Sequence, residues 1–218
     1  MTEMILYSYW RSSCSYRVRI ALYLKEIPFE YRAVHLVRHG GEQHGESYRR
    51  LNPLAEVPCL IHGDFTLTQS MAILGYLDRL KAEPALFPDD PRQEARVIQL
   101  CEIVNAGTQP LQNSAVLKAL GERYAQEMEG RIDWARHWIG RGLAALEAKV
   151  RETAGRFCVG DRLTAVDLFL VPQLYNAHRF KMEMTPLPTL CRINETCLGL
   201  EAFQRAAPER QPDAEAAP

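Results

Sequence analysis

The sequence predicts a small α/β domain followed by an all-α domain, and three observations support this. In the first part of the chain, short runs of β-forming residues alternate with stretches of helical apolar spacing. Beyond residue 92 that spacing is helical almost throughout. Residues 84–91, with three prolines and two aspartates, separate the two regions. The predicted division is a domain at 1–82, a linker at 83–91 and a helical domain at 92–218.

The predicted order in the first domain is β-α-β-α-β-β-α, which makes a small α/β layer. Residues 4–9 are rich in β-formers, and the serines that follow are candidate helix caps. A loop is predicted at residues 39–44, where two glycines are adjacent. The predicted strands are 4–9, 29–36, 59–61 and 66–67, and the predicted helices are 14–25, 45–51 and 71–80.

The second domain is predicted to contain helices at 93–104, 111–129, 131–152 and 165–180. Thr164-Ala165-Val166-Asp167 has the pattern of a capping box, so Asp167 is interpreted as structural rather than catalytic. Trp134 and Trp138, four residues apart, are interpreted as core or interface residues. Residues 208–218 are rich in Pro, Ala and acids and are predicted to fray.

Composition excludes several functional classes. The 218 residues carry 26 Lys and Arg against 27 Asp and Glu, a balance that does not indicate a nucleic-acid partner. The absence of a signal-like start and of an apolar run of about 18 residues predicts a cytoplasmic protein without a membrane span. The six cysteines form no CxxC pair, and neither cysteines nor histidines show metal-site spacing. We therefore expect reduced thiols and no metal.

A long contiguous motif provides the strongest functional signal. Residues 12–22 read Ser-Ser-Cys-Ser-Tyr-Arg-Val-Arg-Ile-Ala-Leu, and this run resembles the signature of the zeta-class glutathione transferases. The resemblance covers essentially the whole chain. It implies a thioredoxin-like first domain, glutathione as cofactor and a homodimer. Further matching segments are Asn52-Pro53…Val57-Pro58, Gln69-Ser70, Gln109-Pro110-Leu111-Gln112-Asn113, Arg179-Phe180-Lys181 and Gln211-Pro212-Asp213.

The start of the first helix suits activation of a thiol. A free thiol has a pKa of about 8.5, and a helix N-terminus lowers it. A hydroxyl that donates to the thiolate lowers it further. The resemblance gives this role to Ser12, with Ser13 and Cys14 flanking the sulfur. On sequence alone, Ser12 and Ser13 are also compatible with a plain N-cap, and Cys14 with a small buried residue.

The resemblance assigns other residues to glutathione binding. Val57 would pair its backbone with the cysteinyl part, next to a cis Pro58. Ser70 and the N-terminus of the predicted helix there would hold the γ-glutamyl carboxylate. Gln69 precedes Ser70 in the same glutathione-binding pair. Gln43 would reach the glycyl end, and Gln109 would contribute from the second domain.

The implied reaction is glutathione-dependent cis–trans isomerisation of maleylacetoacetate, a dicarboxylate. Arginine suits carboxylates, so Arg11 and Arg179 are the candidate cations. Gln109 and Asn113 would add polar contacts. Three alternatives remain open at this point: isomerisation of maleylpyruvate, transfer or dechlorination chemistry on α-halo acids, and a non-catalytic module with this fold. Retention of Cys14 favours maleylacetoacetate over maleylpyruvate.

Overall fold

The computed structural model describes residues 3–215, which form two compact units. The first unit contains the chain up to Leu86 together with the chain from Gly199 onward, and the second contains Phe87–Leu198. The fold class matches the prediction, because the first unit is α/β and the second is helical. Among the described residues, none of the helices has the length and apolar character needed to cross a membrane.

A mixed four-stranded sheet lies at the centre of the first unit, in the order β2-β1-β3-β4. β1 pairs in parallel with β2, with Leu6 opposite Tyr31, and antiparallel with β3, where Leu6 faces Leu60. Leu6 and Leu60 are almost fully buried, as expected for strands covered by helices. The strands are β1 Met4–Ser8, β2 Glu30–Ala33, β3 Cys59–His62 and β4 Phe65–Thr68.

The predicted helices of the first unit are all present. α1 packs against α3, and it is buried along most of its length, including Ile20 and Leu22. Burial of each such side chain stabilises the fold by about 1.5–3 kcal/mol. The predicted loop at 39–44 instead contains two short 3₁₀ helices, Arg38–Gly40 and Glu42–His44. The α-helices are α1 Ser13–Leu24, α2 Glu46–Leu51 and α3 Ser70–Leu80.

The second unit differs from the prediction in two places: the helix predicted at 111–129 is interrupted, and a further helix at Pro188–Leu198 was not predicted. The prediction of one helix at 111–129 is wrong. A 3₁₀ helix at Gln109–Gln112 and a separate α-helix at Ser114–Tyr124 occupy this stretch. Asn113 caps the new helix through its Oδ1, and Ala125 ends it in the left-handed conformation, with φ of 52°. The helices of this unit are α4 Pro91–Asn105, α5 Ser114–Tyr124, α6 Met128–Val150, α7 Ala165–Arg179 and α8 Pro188–Leu198.

The end of the chain departs from two expectations. Residues from Gly199 onward were predicted to belong to the helical domain, but α9 (Glu201–Ala206) packs against α1 in the first unit. The prediction that residues 208–218 fray is also wrong for residues 208–215. The amide of Gln211 donates to the carbonyls of Arg205 and Ala207 at 2.9 and 2.8 Å, which fixes the backbone there. Residues 216–218 lie outside the described part of the chain.

The linker stretch before α4 is anchored by a buried lysine. Lys25 Nζ donates to the carbonyls of Lys81 and Pro84 and forms an ion pair with Asp78 at 2.7 Å. The same Asp78 carboxylate accepts from the Leu86 N–H at 2.8 Å. Since the Lys25 side chain is fully buried, these three partners replace the water contacts that its ammonium group gives up.

The capping box at the start of α7 is confirmed. Asp167 accepts from the Thr164 N–H at 2.8 Å and from the Cys158 N–H at 2.9 Å, and it is fully buried. Burial raises the pKa of Asp167, although the hydrogen bonds act in the opposite direction. Its acceptor role gives a structural reason for an acid at this position.

Replacing Asp167 by Asn leaves one acceptor oxygen for two backbone donors. We expect the free energy of unfolding to fall by about 1–3 kcal/mol, measured by urea denaturation. With a raised folded-state pKa, the wild-type carboxyl binds more protons when folded, so its contribution decreases as pH rises through that pKa. The difference between the two proteins should therefore shrink above about pH 4. A difference that grows with pH would contradict this account.

Candidate active site

Ser12 is the N-cap of α1. Its backbone is extended, with φ of −68° and ψ of 118°, and its Oγ accepts from the Ser15 N–H at 3.2 Å. The side chain is partly exposed. Because this bond uses the hydroxyl as an acceptor, the O–H hydrogen remains able to donate to a ligand atom. Capping and thiolate stabilisation are thus compatible in one side chain.

The two residues after Ser12 occupy the first turn of α1. Ser13 is buried, with 6% of its surface exposed, whereas Cys14 is partly exposed. Backbone N–H groups in a first turn precede the helical hydrogen-bond ladder, and the helix dipole favours negative charge there. A thiolate at this end of α1 would meet these donors together with the Ser12 hydroxyl.

Val57 and Pro58 precede β3, and the peptide bond between them is cis, as the resemblance implies. The ladder of β3 begins at Cys59, so Val57 lies outside it. The carbonyl just before Val57, that of Glu56, accepts from the Tyr48 hydroxyl at 2.6 Å and from the Asn52 amide at 2.8 Å. The segment is therefore held in place while the Val57 backbone lies outside the sheet pairing.

Burial raises the pKa of the Cys59 thiol to about 11. Cys59 therefore stays protonated near neutral pH and does not compete as a nucleophile.

Gln69 and Ser70 form the start of α3. Gln69 is exposed and has a positive φ of 69°, a conformation that is costly for a residue other than glycine. Ser70 is buried, and its Oγ accepts from Arg17 Nη1 at 3.1 Å. Arg17 belongs to α1, so one buried guanidinium connects the helix that begins at Ser12 with the start of α3.

Gln43 lies in the second short 3₁₀ helix rather than in a free loop. Its amide Nε2 donates to the Leu36 carbonyl at 3.4 Å and lies 3.2 Å from His44 Nε2. Its side chain is mostly buried. The predicted contact with the glycyl end of glutathione thus depends on a side chain that already contacts neighbouring residues.

Arg11 precedes Ser12 and is only partly buried. Its Nη2 donates to the Tyr9 hydroxyl at 3.3 Å, and its guanidinium carbon lies 5.0 Å from the centre of the Trp10 ring. This is a cation–π distance. The aromatic contact orients a cation next to the start of α1.

The remaining candidate residues belong to the second unit. Gln109 opens the 3₁₀ helix, and Asn113 follows that helix directly. The Asn113 Oδ1 is used as a cap, accepting from the Ala115 N–H at 3.1 Å and from the Ser114 hydroxyl. Only the NH₂ group of Asn113 is therefore left for a substrate oxygen.

Arg179 ends α7 and is exposed, and its Nη1 donates to Asn176 Oδ1 at 3.4 Å. Gln173, one turn earlier than Asn176, accepts from the Gln112 amide at 3.1 Å. This buried amide pair joins α7 to the 3₁₀ helix that contains Gln109. Trp134 supports the same helix, because its indole N–H donates to the Leu111 carbonyl at 2.8 Å.

Sequence reasoning missed the residues that organise the start of α1. The sequence pattern identifies Arg17 and Arg19 only as parts of the signature, and Asp213 only as part of a matching segment. The available signal was the presence of two arginines among the apolar residues of the predicted first helix. Ser70 and Ala206, which these arginines contact, are distant in sequence and could not be inferred. Among the described residues, no group of three or more His, Cys, Asp or Glu side chains could hold a metal ion.

Known proteins resemble this chain over nearly its full length. Residues 2–79 match the model of the glutathione S-transferase N-terminal domain. A probable maleylacetoacetate isomerase of Vibrio cholerae serotype O1 is 47% identical over 214 residues, covering 98% of this chain and all of that protein. The chain belongs to the zeta class of the glutathione S-transferase family.

Solved structures of the family are also similar throughout. The maleylacetoacetate isomerase of Anaeromyxobacter dehalogenans 2CP-1, with bound GSH in its active site, is 49% identical, with a TM-score of 0.88 and coverage of 99% and 100%. A further structure of that isomerase contains dicarboxyethyl glutathione and citrate in the active site. A zeta-class maleyl pyruvate isomerase is 38% identical, with a TM-score of 0.93 and coverage of 97% and 100%.

The position of Ser70 yields a test of the glutathione anchor. Ser70→Ala removes a hydroxyl at the start of α3 and one hydrogen bond of Arg17. We expect the KM for glutathione to rise roughly tenfold while kcat changes less than about threefold, because the lost contact is made equally before and during reaction. Steady-state kinetics with varied glutathione provides the measurement. Ser47→Ala, at an exposed serine of α2, serves as the control. An unchanged KM in Ser70→Ala would remove Ser70 from the anchor.

Proposed function

We propose that this protein is a glutathione-dependent isomerase that converts maleylacetoacetate to fumarylacetoacetate. The observation that carries the proposal is the position of Ser12. Its hydroxyl stands at the start of a 12-residue helix, and its Oγ accepts an N–H in a way that leaves its own hydrogen able to donate. The names of the relatives at 47–49% identity support the choice of substrate.

The first task of the chain is to keep a thiol ionised. When bound, glutathione would supply a thiolate that adds reversibly to the substrate's double bond, allowing rotation before it leaves. Ser12 donates a hydrogen bond to the charged form, and the first-turn N–H groups of α1 add their partial positive charge. Both effects lower the thiol pKa.

The second task is to hold the tripeptide. Ser70 and the N-terminus of α3 bind the γ-glutamyl carboxylate. Arg17 holds the Ser70 hydroxyl by donating a hydrogen bond to its oxygen. The Val57 backbone, outside the sheet ladder, pairs with the cysteinyl part. Gln43, Gln69 and Gln109 contribute amide groups. In the first unit, Ser70 would thus bind the γ-glutamyl end of glutathione, and Gln43 would bind its glycyl end.

The third task is to bind a dianion. Arg11 and Arg179 carry the positive charge, and the guanidinium of Arg179 is exposed. Gln109 and the NH₂ group of Asn113 donate to the remaining oxygens. The dicarboxyethyl glutathione in the A. dehalogenans isomerase supports a site in this class that accepts a thiol adduct with two carboxylates. Positive charge would also stabilise the enolate that develops during addition.

Ser12→Ala tests the thiolate-stabilising role. We expect kcat to fall roughly 100-fold, as for the loss of one preorganised donor to a developing charge. The measurement is an isomerase assay, with and without glutathione, coupled to a hydrolase that cleaves only the trans product. Ser12→Thr should restore most of the activity, because it retains a hydroxyl. Cys14→Ala should keep most of the turnover as well.

Two results would contradict the proposed function. Wild-type turnover that does not need glutathione would exclude the mechanism. A protein that binds no glutathione would instead be a non-catalytic module of this fold.

Maleylpyruvate is the second candidate substrate, and the TM-score of 0.93 to a maleyl pyruvate isomerase favours testing it. Glutathione-dependent turnover of maleylpyruvate, with no turnover of maleylacetoacetate, would assign the protein to this reaction. Turnover confined to an α-halo acid would indicate the dechlorination chemistry instead.

Arg179→Leu tests the dianion site. We expect the KM for the dicarboxylate to rise roughly 10- to 100-fold, with the KM for glutathione unchanged, because Arg179 would contact only the substrate. Arg162→Leu, at another exposed arginine of the second unit, is the matched control. Equal effects of the two substitutions would show that only net charge matters, which would contradict a specific contact.

A cytoplasmic homodimer is the assembly and location that we propose. The resemblance to the zeta class supports it. Sedimentation at micromolar concentration should show twice the 24.8 kDa chain mass, and a species of 24.8 kDa would refute the dimer.

A further inference from the structure

A residue near the end of the chain contacts the turn that leads into α1. The Asp213 Oδ2 accepts from the Trp10 N–H at 3.0 Å. Trp10 lies two residues before Ser12, and 203 positions separate it from Asp213. A charged acceptor makes a hydrogen bond about twice as strong as a neutral one. The contact is therefore well suited to fixing the backbone just ahead of the Ser12 hydroxyl.

The Asp213 carboxylate is itself held from a second side. The Tyr31 hydroxyl, on β2, donates to Oδ1 at 2.6 Å. Burial, followed by this hydrogen bond, raises the pKa of Tyr31. Tyr31 therefore keeps its proton, and its role as donor, across the working pH range. With one oxygen fixed by the sheet, the other is directed at the turn.

Arg19 holds the opposite groups of the same turn. Its Nη1 and Nη2 donate to the carbonyls of Tyr9 and Trp10 at 3.3 and 2.9 Å. The Tyr9 carbonyl also accepts from the Ser12 N–H at 3.0 Å. Arg19 Nε donates to the Ala206 carbonyl at 3.0 Å, which connects the turn to α9. In the turn at residues 9–12, Arg19 thus binds the Tyr9 and Trp10 carbonyls, and Asp213 binds the Trp10 N–H.

From these contacts we propose that Asp213 is a positioning residue for the thiolate site. It fixes the turn at residues 9–12, so that the Ser12 hydroxyl points where the sulfur is bound. We call the segment from Gly199 to Glu215 the C-terminal clamp. The inference rests on the proposed function, since it assigns to Ser12 the role argued above. It goes further by making glutathione activation depend on a segment that follows the helical unit in sequence.

A purely structural role predicts different behaviour. In that case Asp213 would only attach the end of the chain, and its loss would lower stability without altering the chemistry. Positioning predicts that its loss changes the thiolate step while glutathione still binds, because Ser70 and Val57 lie on other elements. The structural and the positioning role therefore predict different changes in kcat relative to KM, and different pH profiles of kcat.

The test compares Asp213→Ala with Asp213→Asn. Asn keeps an oxygen for the Trp10 N–H, and its NH₂ group can donate to the Tyr31 oxygen, so it should restore function. Glu201→Ala is the matched control in the same segment, because Glu201 is exposed and makes only a 3.7 Å surface ion pair with Arg205. Three measurements are made on each protein: amide hydrogen exchange, steady-state kinetics and the pH profile of kcat.

The Ala variant should show faster exchange in peptides that cover residues 9–15. Its kcat should fall at least roughly tenfold, because less of the bound thiol is ionised. The KM for glutathione should change less than about threefold, because Ser70 and Val57 lie on other elements and still hold the tripeptide. The acidic limb of its pH profile should move to higher pH, as expected when the thiolate is less stabilised. The Asn and Glu201 variants should stay within about threefold of wild type.

Wild-type kcat and pH profile in folded Asp213→Ala would overturn the inference. If the Ala variant does not fold, Tyr31→Phe takes its place, since it frees one side of the carboxylate and leaves the Trp10 bond. It should show a smaller fall in kcat in the same direction, and an unchanged kcat with unchanged exchange would also overturn the proposal.

The experiment also distinguishes failure of the proposed isomerase function from failure of the positioning role of Asp213. In that case wild type would not isomerise the diacid, yet glutathione would slow exchange at residues 9–15 in wild type and less so in Asp213→Ala.

Discussion

The structure of the first unit depends most on one buried guanidinium, that of Arg19. It is fully buried, and desolvation lowers its pKa from the ordinary arginine value, with the nearby Asp213 acting in the opposite direction. Its nitrogens donate to the Tyr9, Trp10 and Ala206 carbonyls and to the Ser8 hydroxyl. A single side chain of α1 therefore joins the end of β1, the following turn and α9. Burial of so strongly hydrated a group is tolerable only because its donors are satisfied.

This arrangement suits the binding role that we propose for two helix N-termini. A helix end that binds an anion must be held rigidly and kept free of protein partners at some of its donors. Arg19 fixes the approach to α1, and Arg17, two residues earlier on the same helix, fixes Ser70 at the start of α3. The signature sequence thus contains Ser12 and both of these arginines within eight residues.

The sequence was sufficient for the elements that depend on local pattern. The strands around the His62–Phe65 turn, the α1 cap at Ser12 and the capping box at Asp167 all follow from short-range rules. The break at Ala125 could not be predicted, because a left-handed alanine has no distinctive sequence signal. The order of the C-terminal clamp could not be predicted for a different reason. Its polar composition resembles a frayed tail, and its order comes from Gln211 and Asp213 contacting residues that are far away in sequence.

The central claim is that the start of α1 ionises the thiol of bound glutathione. The most direct test is to titrate the ultraviolet absorbance of the thiolate in the complex of wild-type protein with glutathione and no second substrate. The account predicts an apparent thiol pKa clearly below the value of about 8.5 for a free thiol. An apparent pKa equal to or above that of free glutathione would contradict it, because Ser12 and the α1 N-terminus would then give the charged form no advantage.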